Sequence, residues 1–394
     1  MTHTALHSTI HAAALLSACL MLLSSCYRLP DLHLPSRGKS DVHFELPLVE
    51  LRLDIYWDYR YEFGINYDWQ AEWYYGWDDE DRRIFGELGY NEPNSFNLRR
   101  YYTGQKPYAP HTSVRSDYVE GRYFRSTFEW GFWDILAWND VQTLDGVQSL
   151  VFDESSDLES VTAYTNQTMS SARYHAPRYQ NSFYEPEQLF AAYEQGIEID
   201  SLLKDFTFDE EKSVWVRQLN MMLEPITYIY LIQVILHNNK GRVTGVEGTA
   251  NLSGMARTTN LNTGIAGSDA VAVYFGMRLK NNMDKLGELV DIIGGRVLTF
   301  GIPGVAANRV TRAKEVEESD NQNHYFDVKM LFSNATDSTF VFNITDQVRK
   351  HYKGGVITVE LDMDTVPIPQ RRGGSGFDAV VKDFEDGGTH EFEM

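Results

Sequence analysis

The chain has 394 residues and is strongly acidic, with 35 Lys and Arg against 56 Asp and Glu and a formal net charge of −21. This charge excludes nucleic acid as a partner, because a phosphate-binding surface needs a basic patch. The two cysteines, Cys19 and Cys26, lie near the N-terminus. The remaining residues therefore allow no disulfide, no thiol nucleophile and no zinc site with cysteine ligands.

The first 25 residues have the pattern of an export signal. Residues 12–25 form an apolar run that is too short to span a bilayer and ends in small residues. Cys26 follows Leu23-Ser24-Ser25, as in a bacterial lipoprotein cleavage site. Cys19 follows a similar triplet, but cleavage there would leave residues 20–23 as an apolar start of the mature protein. We therefore expect residues 1–25 to be removed and Cys26 to carry a lipid such as palmitate, which would attach the protein to the outer membrane.

Residues 26–41 mix Pro, Gly and charge without periodicity, which is typical of a tether. From Val42 the pattern is that of strands, and its alternation changes phase near Leu48, which indicates a bulge or a break before the segment ends at Trp57. Further strand patterns recur along the chain. Examples are Tyr123–Trp133, 147–152, 160–164, Val271–Lys280, Phe326–Phe332 and 357–361.

Many short strands and few short helices predict an all-β fold of two antiparallel β-sandwich domains, residues 42–209 and 210–394. One helix is expected at 186–193, where Pro186 stands at the first position beside carboxylates. The stretch Ile226–Leu236 is apolar at odd and even positions alike. This pattern predicts a central strand of the second sandwich that is covered on both faces.

No motif for catalysis is visible. The sequence lacks a phosphate-binding glycine loop ending in Lys-Ser/Thr, a paired-histidine zinc motif and a Gly-x-Ser-x-Gly elbow. The acidic run Asp78–Asp81 has the oxygen ligands for calcium without the spacing of an EF-hand loop, so a solvated turn is favoured. We expect no enzyme activity, no metal and no cofactor. One further hypothesis is a glycoside hydrolase, whose pair of catalytic carboxylates cannot be identified from the sequence.

Aromatic residues are dense between Tyr56 and Trp77, and they include Trp69, Trp73 and Trp77. Such a set can form a platform for sugar rings or for a protein partner. Part of the set alternates with acidic residues, which favours a half-buried strand. A glycan-binding surface lipoprotein that uses Trp69, Trp73 or Trp77 is therefore the alternative function.

Four segments carry a resemblance to a known family. They are FWDILAWNDVQTLDGVQSLVFDE (132–154), YEPEQLFAAYEQGIEI (184–199), VEGTANLSGMARTTNLNTG (246–264) and FVFNITDQVRKHYKGGVITVELDMDTVPIP (340–369). As an ordered set they resemble the Bacteroidetes fimbrillin-like lipoproteins, two-domain relatives of type V fimbria pilins and of the lipidated anchor subunits of short fimbriae. The resemblance spans nearly the whole exported chain. It implies two transthyretin-like β-sandwich domains without catalysis.

The resemblance also implies a role in building or anchoring a fimbria, or in adhesion, with fimbrial subunits and host or bacterial surface ligands as partners. In such proteins a protease cuts after an arginine beyond the lipid site, and a strand of another subunit fills the groove that opens. Arg28 and Arg37 are the candidate cleavage sites in the tether. Exported proteins of this bacterial group are glycosylated at Asp-Ser/Thr followed by an aliphatic residue or Thr, so Ser201, Ser338 and Thr365 are candidate acceptors.

Overall fold

The computed structural model describes residues 49–57, 67–141, 149–153, 161–166, 182–200, 202–305, 322–369 and 385–393. All of these residues belong to one compact unit. In chain order the strands are β1 (Val49–Trp57), β2 (Ser95–Gly104), β3 (Ser113–Glu120), β4 (Tyr123–Thr127), β5 (Gly131–Asn139), β6 (Leu150–Asp153), β7 (Thr162–Thr165), β8 (Ser182–Tyr184), β9 (Phe190–Ile199), β10 (Thr207–Asp209), β11 (Val214–Pro225), β12 (Tyr228–His237), β13 (Val243–Ala256), β14 (Thr258–Asn260), β15 (Ala270–Gly276), β16 (Arg278–Lys285), β17 (Glu288–Thr299), β18 (Tyr325–Phe332), β19 (Thr336–Asn343), β20 (Gly355–Asp362) and β21 (Glu385–Glu393). The helices of the described ranges are α1 (Asp79–Phe85), α2 (Thr345–Lys350) and a 3₁₀ turn at Trp69–Ala71.

The first sandwich is one sheet with the order β3-β2-β5-β9-β11-β1-β4, and β10 adds to β11. Strands β9 and β11 pair only at Ala191 with Glu224 and at Phe190 with Pro225. The sheet folds back at this short junction, because side chains of β1 and β11 share one buried cluster with side chains of β2, β5 and β9. The predicted domain boundary after residue 209 falls in the turn between β10 and β11, and the first sheet continues to Pro225.

The second sandwich packs the sheet β16-β17-β12-β20 against the sheet β21-β19-β18-β13-β15-β8. Every residue of β12 except His237 is buried. Its even-numbered side chains, such as Ile232 and Val234, face the core between the two sheets. Its odd-numbered side chains, such as Leu231 and Ile235, belong to a separate buried cluster on the outer face. The prediction of a central strand covered on both faces is confirmed.

A third, small sheet has the order β14-β7-β6. Ala163 of β7 shares a buried cluster with Leu136 of β5, and Phe300, which follows β17, belongs to the same cluster. The all-β prediction with few short helices is confirmed. Among the described strand pairs, four are parallel rather than antiparallel, namely β1 with β11, β12 with β20, β15 with β8 and β19 with β21.

The predicted helix at 186–193 is wrong, because this segment leads into β9 and pairs with β5. The carboxylates that suggested a helix start bind backbone groups of neighbouring chain segments instead. Oε2 of Glu185 accepts a hydrogen bond from the Leu298 N–H at 3.0 Å. The Glu187 carboxylate accepts hydrogen bonds from the N–H groups of Ser149 and Leu150 at 2.6 and 2.9 Å. None of the described helices has the length and apolar character needed to cross a bilayer.

Candidate assembly site at the N-terminal strand

Strand β1 lies inside the first sheet, although it is the first described element of the chain. It pairs in parallel with β11 along its whole length, from Val49 opposite Trp215 to Trp57 opposite Leu223. On its other side it pairs antiparallel with β4. Val49, Leu51, Leu53 and Ile55 alternate with polar residues and are at most 1% exposed. The alternation seen in the sequence therefore places one face of β1 in the core.

The opposite face of β1 carries ion pairs to its neighbours. Arg52 contacts Asp209 of β10 through Nη2 and Oδ2 at 2.8 Å, and Asp54 pairs with Arg122 beside β4. The hydrogen bond from Arg52 lowers the pKa of Asp209. These pairs are partly exposed, so they add little stability and mainly favour one register of the strand.

The buried face of β1 contributes four side chains to the core of the first sandwich. Each of its four core side chains stabilises the fold by about 1.5–3 kcal/mol, or together about 6–12 kcal/mol. The total stability of a typical domain is about 5–15 kcal/mol. Removal of β1 would therefore leave an apolar groove between β11 and β4 that needs another strand to fill it.

Residues 67–77 of the aromatic segment lie against the second sandwich. We call residues 67–77 the aromatic cover. Trp73 and Tyr75 belong to the buried cluster on the outer face of the sheet β16-β17-β12-β20, and Tyr67, Trp69, Tyr74 and Trp77 pack around it. The ring of Tyr75 rests on Gly294 of β17, where a Cβ atom would overlap it. The cover therefore shields the odd-numbered face of β12 from water.

Gln233 holds the aromatic cover on β12. It is fully buried, and its Oε1 accepts hydrogen bonds from the N–H groups of Tyr74 and Tyr75 at 3.0 and 3.2 Å. Its Nε2 donates to the carbonyl of Glu72 at 2.7 Å and to Oγ1 of Thr358 at 2.9 Å. All four hydrogen-bonding positions of this carboxamide are thus used.

A second attachment follows at α1, which we call the Asp81 cluster. Asp78 caps the helix, and its side chain and that of Asp81 each bind the other residue's backbone N–H. Asp81 is fully buried and contacts Arg278 at 2.8 Å and Lys280 at 2.5 Å, both from β16. The hydroxyl of Tyr75 donates to Oδ1 of Asp81 at 2.8 Å. The acidic run therefore starts a helix instead of the expected turn. Asp81 is buried against two cations, whereas the side chains of Asp79 and Glu80 are solvated as expected. No metal-binding group of three or more acidic, His or Cys side chains occurs among the described residues.

Side chains close the outer edge of β20. Thr358 donates its N–H to Oε1 of Gln347 at 2.9 Å and accepts at its carbonyl from Nε2 of the same residue at 3.0 Å. The N–H of Val356 donates to the hydroxyl of Tyr67 at 3.3 Å. Because these groups occupy the backbone positions that an added strand would use, β20 is a poor acceptor for strand addition.

The predicted site residues fall in different places. Cys26, Arg28, Arg37 and Ser201 lie outside the described residues. Ser338 of β19 is fully buried. A glycan on its hydroxyl is incompatible with the folded sheet, so the candidate at Ser338 is corrected on steric grounds. Thr365 lies on an exposed turn, and its Oγ1 donates to the carbonyl of Asp362 at 2.8 Å.

The three candidate tryptophans are packed to different degrees. Trp73 is 8% exposed, and its Nε1 donates to the Gly76 carbonyl at 3.1 Å. Trp77 is half-buried, donates to the Gly86 carbonyl at 3.0 Å and packs near Phe85 at 5.9 Å between ring centroids. Trp69 is also half-buried. Core packing thus occupies Trp73, while Trp69 and Trp77 retain part of their surface for a ligand.

Gln233 and the two cations Arg278 and Lys280 are not among the residues predicted from the sequence. A signal for Gln233 was present, since it is the one amide in the apolar stretch Ile226–Leu236. A polar side chain in a strand covered on both faces must find hydrogen-bond partners. The partners are contributed by residues some 160 positions earlier in the chain, which no local pattern indicates.

No protein-family model matches the chain, and no curated protein matches it either. A candidate adhesin from Bacteroides ovatus is similar at a TM-score of 0.46 and 13% identity, covering 85% of this chain and 99% of that one. The fimbrial anchor protein Mfa2 from Porphyromonas gingivalis is similar at 0.39 and 9% identity, covering 79% and 90%. Proteins from Bacteroides thetaiotaomicron that are described as candidate polysaccharide binders are similar at 0.39 and 9% identity, covering 80% and 91%.

Proposed function

We propose that this protein is a non-catalytic surface lipoprotein that anchors a fimbria to the outer membrane or forms a minor structural subunit of it. The observation that carries the proposal is the position of β1. The first described strand after the predicted tether is buried and paired on both sides, with β11 and β4. A subunit that keeps this strand stays covalently joined to its lipid-bearing N-terminus.

This arrangement suits an anchor more than a repeating shaft subunit. Arg52 lies in the middle of β1, paired to Asp209, and both backbone edges of the strand are occupied. Cleavage after Arg28 or Arg37 would leave β1 in place, so the groove would stay filled. A pull on the tether would have to break the ladders of β1 before the first sandwich opened.

The aromatic cover extends this attachment into the second sandwich. The chain leaves β1 at Trp57 and, from Tyr67, is held on the sheet of β12 by Gln233 and the Asp81 cluster. Strand exchange at the N-terminal segment would therefore concern β1 alone and leave the cover attached. The glycan-binding alternative through Trp69, Trp73 and Trp77 has weaker support, because these rings pack on the protein itself.

The proposal is tested in the native host. Deletion of the gene should release fimbriae from the cells or alter their length while the major shaft protein is still made. Wild-type protein should restore retention, whereas Cys26→Ala should fail to incorporate a palmitate analogue and should fail to restore it. Leu202→Ala, at an exposed side chain, serves as the matched control. Normal fimbriae and normal adhesion in the deletion strain would contradict the proposal.

A further inference from the structure

An open cleft of about 630 Å³ lies at one end of the second sandwich. It is formed by the turn between β12 and β13, the start of β13, the irregular part of β16 and the start of β17. Its volume is within the range of about 300–1,000 Å³ that is usual for small-molecule sites. The lining is mainly polar. It includes Asn239, Lys240, Asn281, Asn282, Glu288 and Asp291.

The polar groups of the cleft are held in fixed positions by a buried amide. Asn239 is 4% exposed and donates from Nδ2 to Oδ2 of Asp291 at 2.7 Å and to the Val243 carbonyl at 2.9 Å. The N–H of Asn282 donates to Oδ1 of Asp291 at 2.9 Å. Each Asp291 oxygen thus has one donor, and a carboxylate has about four acceptor positions. Asp291 is an oriented acceptor with capacity left for a ligand.

Two exposed amides stand beside this carboxylate. The side chains of Asn281 and Asn282 line the cleft, and neither carboxamide has a hydrogen-bond partner among the described residues. Asn282 has φ of +56°, where Asn is favoured for backbone reasons. No such reason applies to Asn281. Side-chain amides present a donor and an acceptor side by side, which matches the adjacent hydroxyls of a sugar.

The cleft also has an apolar wall. Leu289 lines it and is 69% exposed, so its side chain can contact a ligand. A sugar ring has hydroxyls at its edge and an apolar C–H face, so it can contact the amides and the leucine together. The charged side chains of the lining, Lys240, Glu288 and Asp291, sum to one negative charge, which disfavours an acidic ligand.

We propose that this cleft is a binding site for a neutral carbohydrate, held by Asn281, Asn282 and Asp291 with its ring against Leu289. A peptide added as a strand fits less well. The register of β16 with β17 shifts between Lys280 and Met283, and such a bulge interrupts the regular ladder that an added strand would need. The inference goes beyond the proposed assembly role and does not depend on β1.

The test uses the whole mature chain, purified in detergent, on an array of neutral oligosaccharides with sialylated and sulfated glycans for comparison. Selective ¹⁵N labelling of asparagine then allows simple hexoses to be titrated at high concentration while the side-chain amide signals are followed by NMR. We expect neutral glycans to bind and the signals of Asn281 and Asn282 to shift. The double variant Asn281→Ala/Asn282→Gly removes both amides and keeps a residue suited to positive φ at 282.

This variant should weaken binding about fivefold or more, because it removes a hydrogen-bonding amide at each of two positions. Leu289→Ala should weaken it to a smaller extent. Asn220→Ala and Leu202→Ala, at exposed positions outside the cleft, should bind like wild type, and all variants should melt alike. Binding that is unchanged in the double variant, a preference for acidic glycans, or the absence of both array binding and hexose-induced shifts would overturn the proposal. The double variant should still restore fimbrial retention in the deletion strain. A failure of the carbohydrate site can therefore be distinguished from a failure of the proposed assembly role.

Discussion

The carboxamide oxygen of Gln233, buried in the middle of β12, accepts a hydrogen bond from the backbone N–H of Tyr75 at 3.2 Å. This contact joins an early segment of the chain to the central strand of the second sandwich. A strand that is apolar at odd and even positions needs a cover on each face. In this protein the second cover is the aromatic segment rather than another sheet.

The first prediction concerns the attachment of the aromatic cover. Gln233→Leu keeps the volume of the side chain but leaves the N–H groups of Tyr74 and Tyr75 without their acceptor. We expect the free energy of unfolding to fall by at least about 2 kcal/mol, because each buried unsatisfied N–H costs about 1–3 kcal/mol. Chemical denaturation and tryptophan emission measure the effect. Gln70→Leu, at an exposed position of the same cover, is the control, and equal stability of the two variants would contradict this account.

The second prediction concerns the Asp81 cluster. Asp81→Asn removes the fully buried carboxylate that contacts Arg278 and Lys280, whose side chains are 23% and 10% exposed. The half-exposed Asp78 still contacts both cations in this variant. Loss of one partner of a buried pair costs up to about 3–5 kcal/mol. Asp79→Asn is the matched control in the same helix, since its side chain is fully exposed and contacts Arg82 only on the surface. A loss of stability that is no larger for Asp81→Asn than for Asp79→Asn would rule out a structural role for the cluster.

Much of the architecture could be predicted from the sequence, because alternation along a strand is a local property. Strands β12 and β1 are examples. The prediction of a helix at 186–193 was wrong because the nearby carboxylates do not cap a helix. They accept hydrogen bonds from the backbone N–H groups of Leu298 and Ser149, which are distant in the sequence. The location of the aromatic cover was also hidden. Its partners Gln233 and Gly294 lie more than 150 residues away, and nothing in its own pattern distinguishes a ligand platform from a sheet cover.

The third prediction is a pH dependence that arises from Asp327 of β18. Burial raises the pKa of this carboxyl to about 7, although a hydrogen bond from Asn251 opposes the shift. In the unfolded chain the pKa is near 3.8. The folded state therefore binds the proton of this carboxyl more tightly than the unfolded chain does. The contribution of the protonated carboxyl to the free energy of unfolding is complete below pH 3.8 and is lost as the pH rises to about 7. The difference in unfolding midpoint between wild type and Asp327→Asn should change across this range, and a constant difference would refute the assignment.

The fourth prediction concerns glycosylation. Thr365 lies on an exposed turn, whereas Ser338 is fully buried in β19. If the Asp-Ser/Thr pattern is used in the native host, we expect a glycan on Thr365 and none on Ser338. Intact mass of protein from that host should decrease by the mass of a glycan in Thr365→Ala and should keep its glycans in Ser338→Ala. A wild-type mass equal to that of the peptide plus the lipid would show that the protein carries no glycan.

The fifth prediction tests whether β1 is retained. A protease specific for arginine should cut the folded protein in the tether and leave the bond after Arg52 intact, because a protease needs an extended, unpaired segment and both edges of β1 are paired. Leu53→Asp places a charge in the core beneath the strand, since Leu53 is 1% exposed. We expect this variant to be cut after Arg52 and to lose several kcal/mol of stability. Asp54→Asn, on the outer face of the same strand, should remain protected. Mass spectrometry of the N-terminal fragments distinguishes these results, and rapid cleavage after Arg52 in the wild type would show that β1 leaves its groove readily, as a strand-exchanging shaft subunit requires.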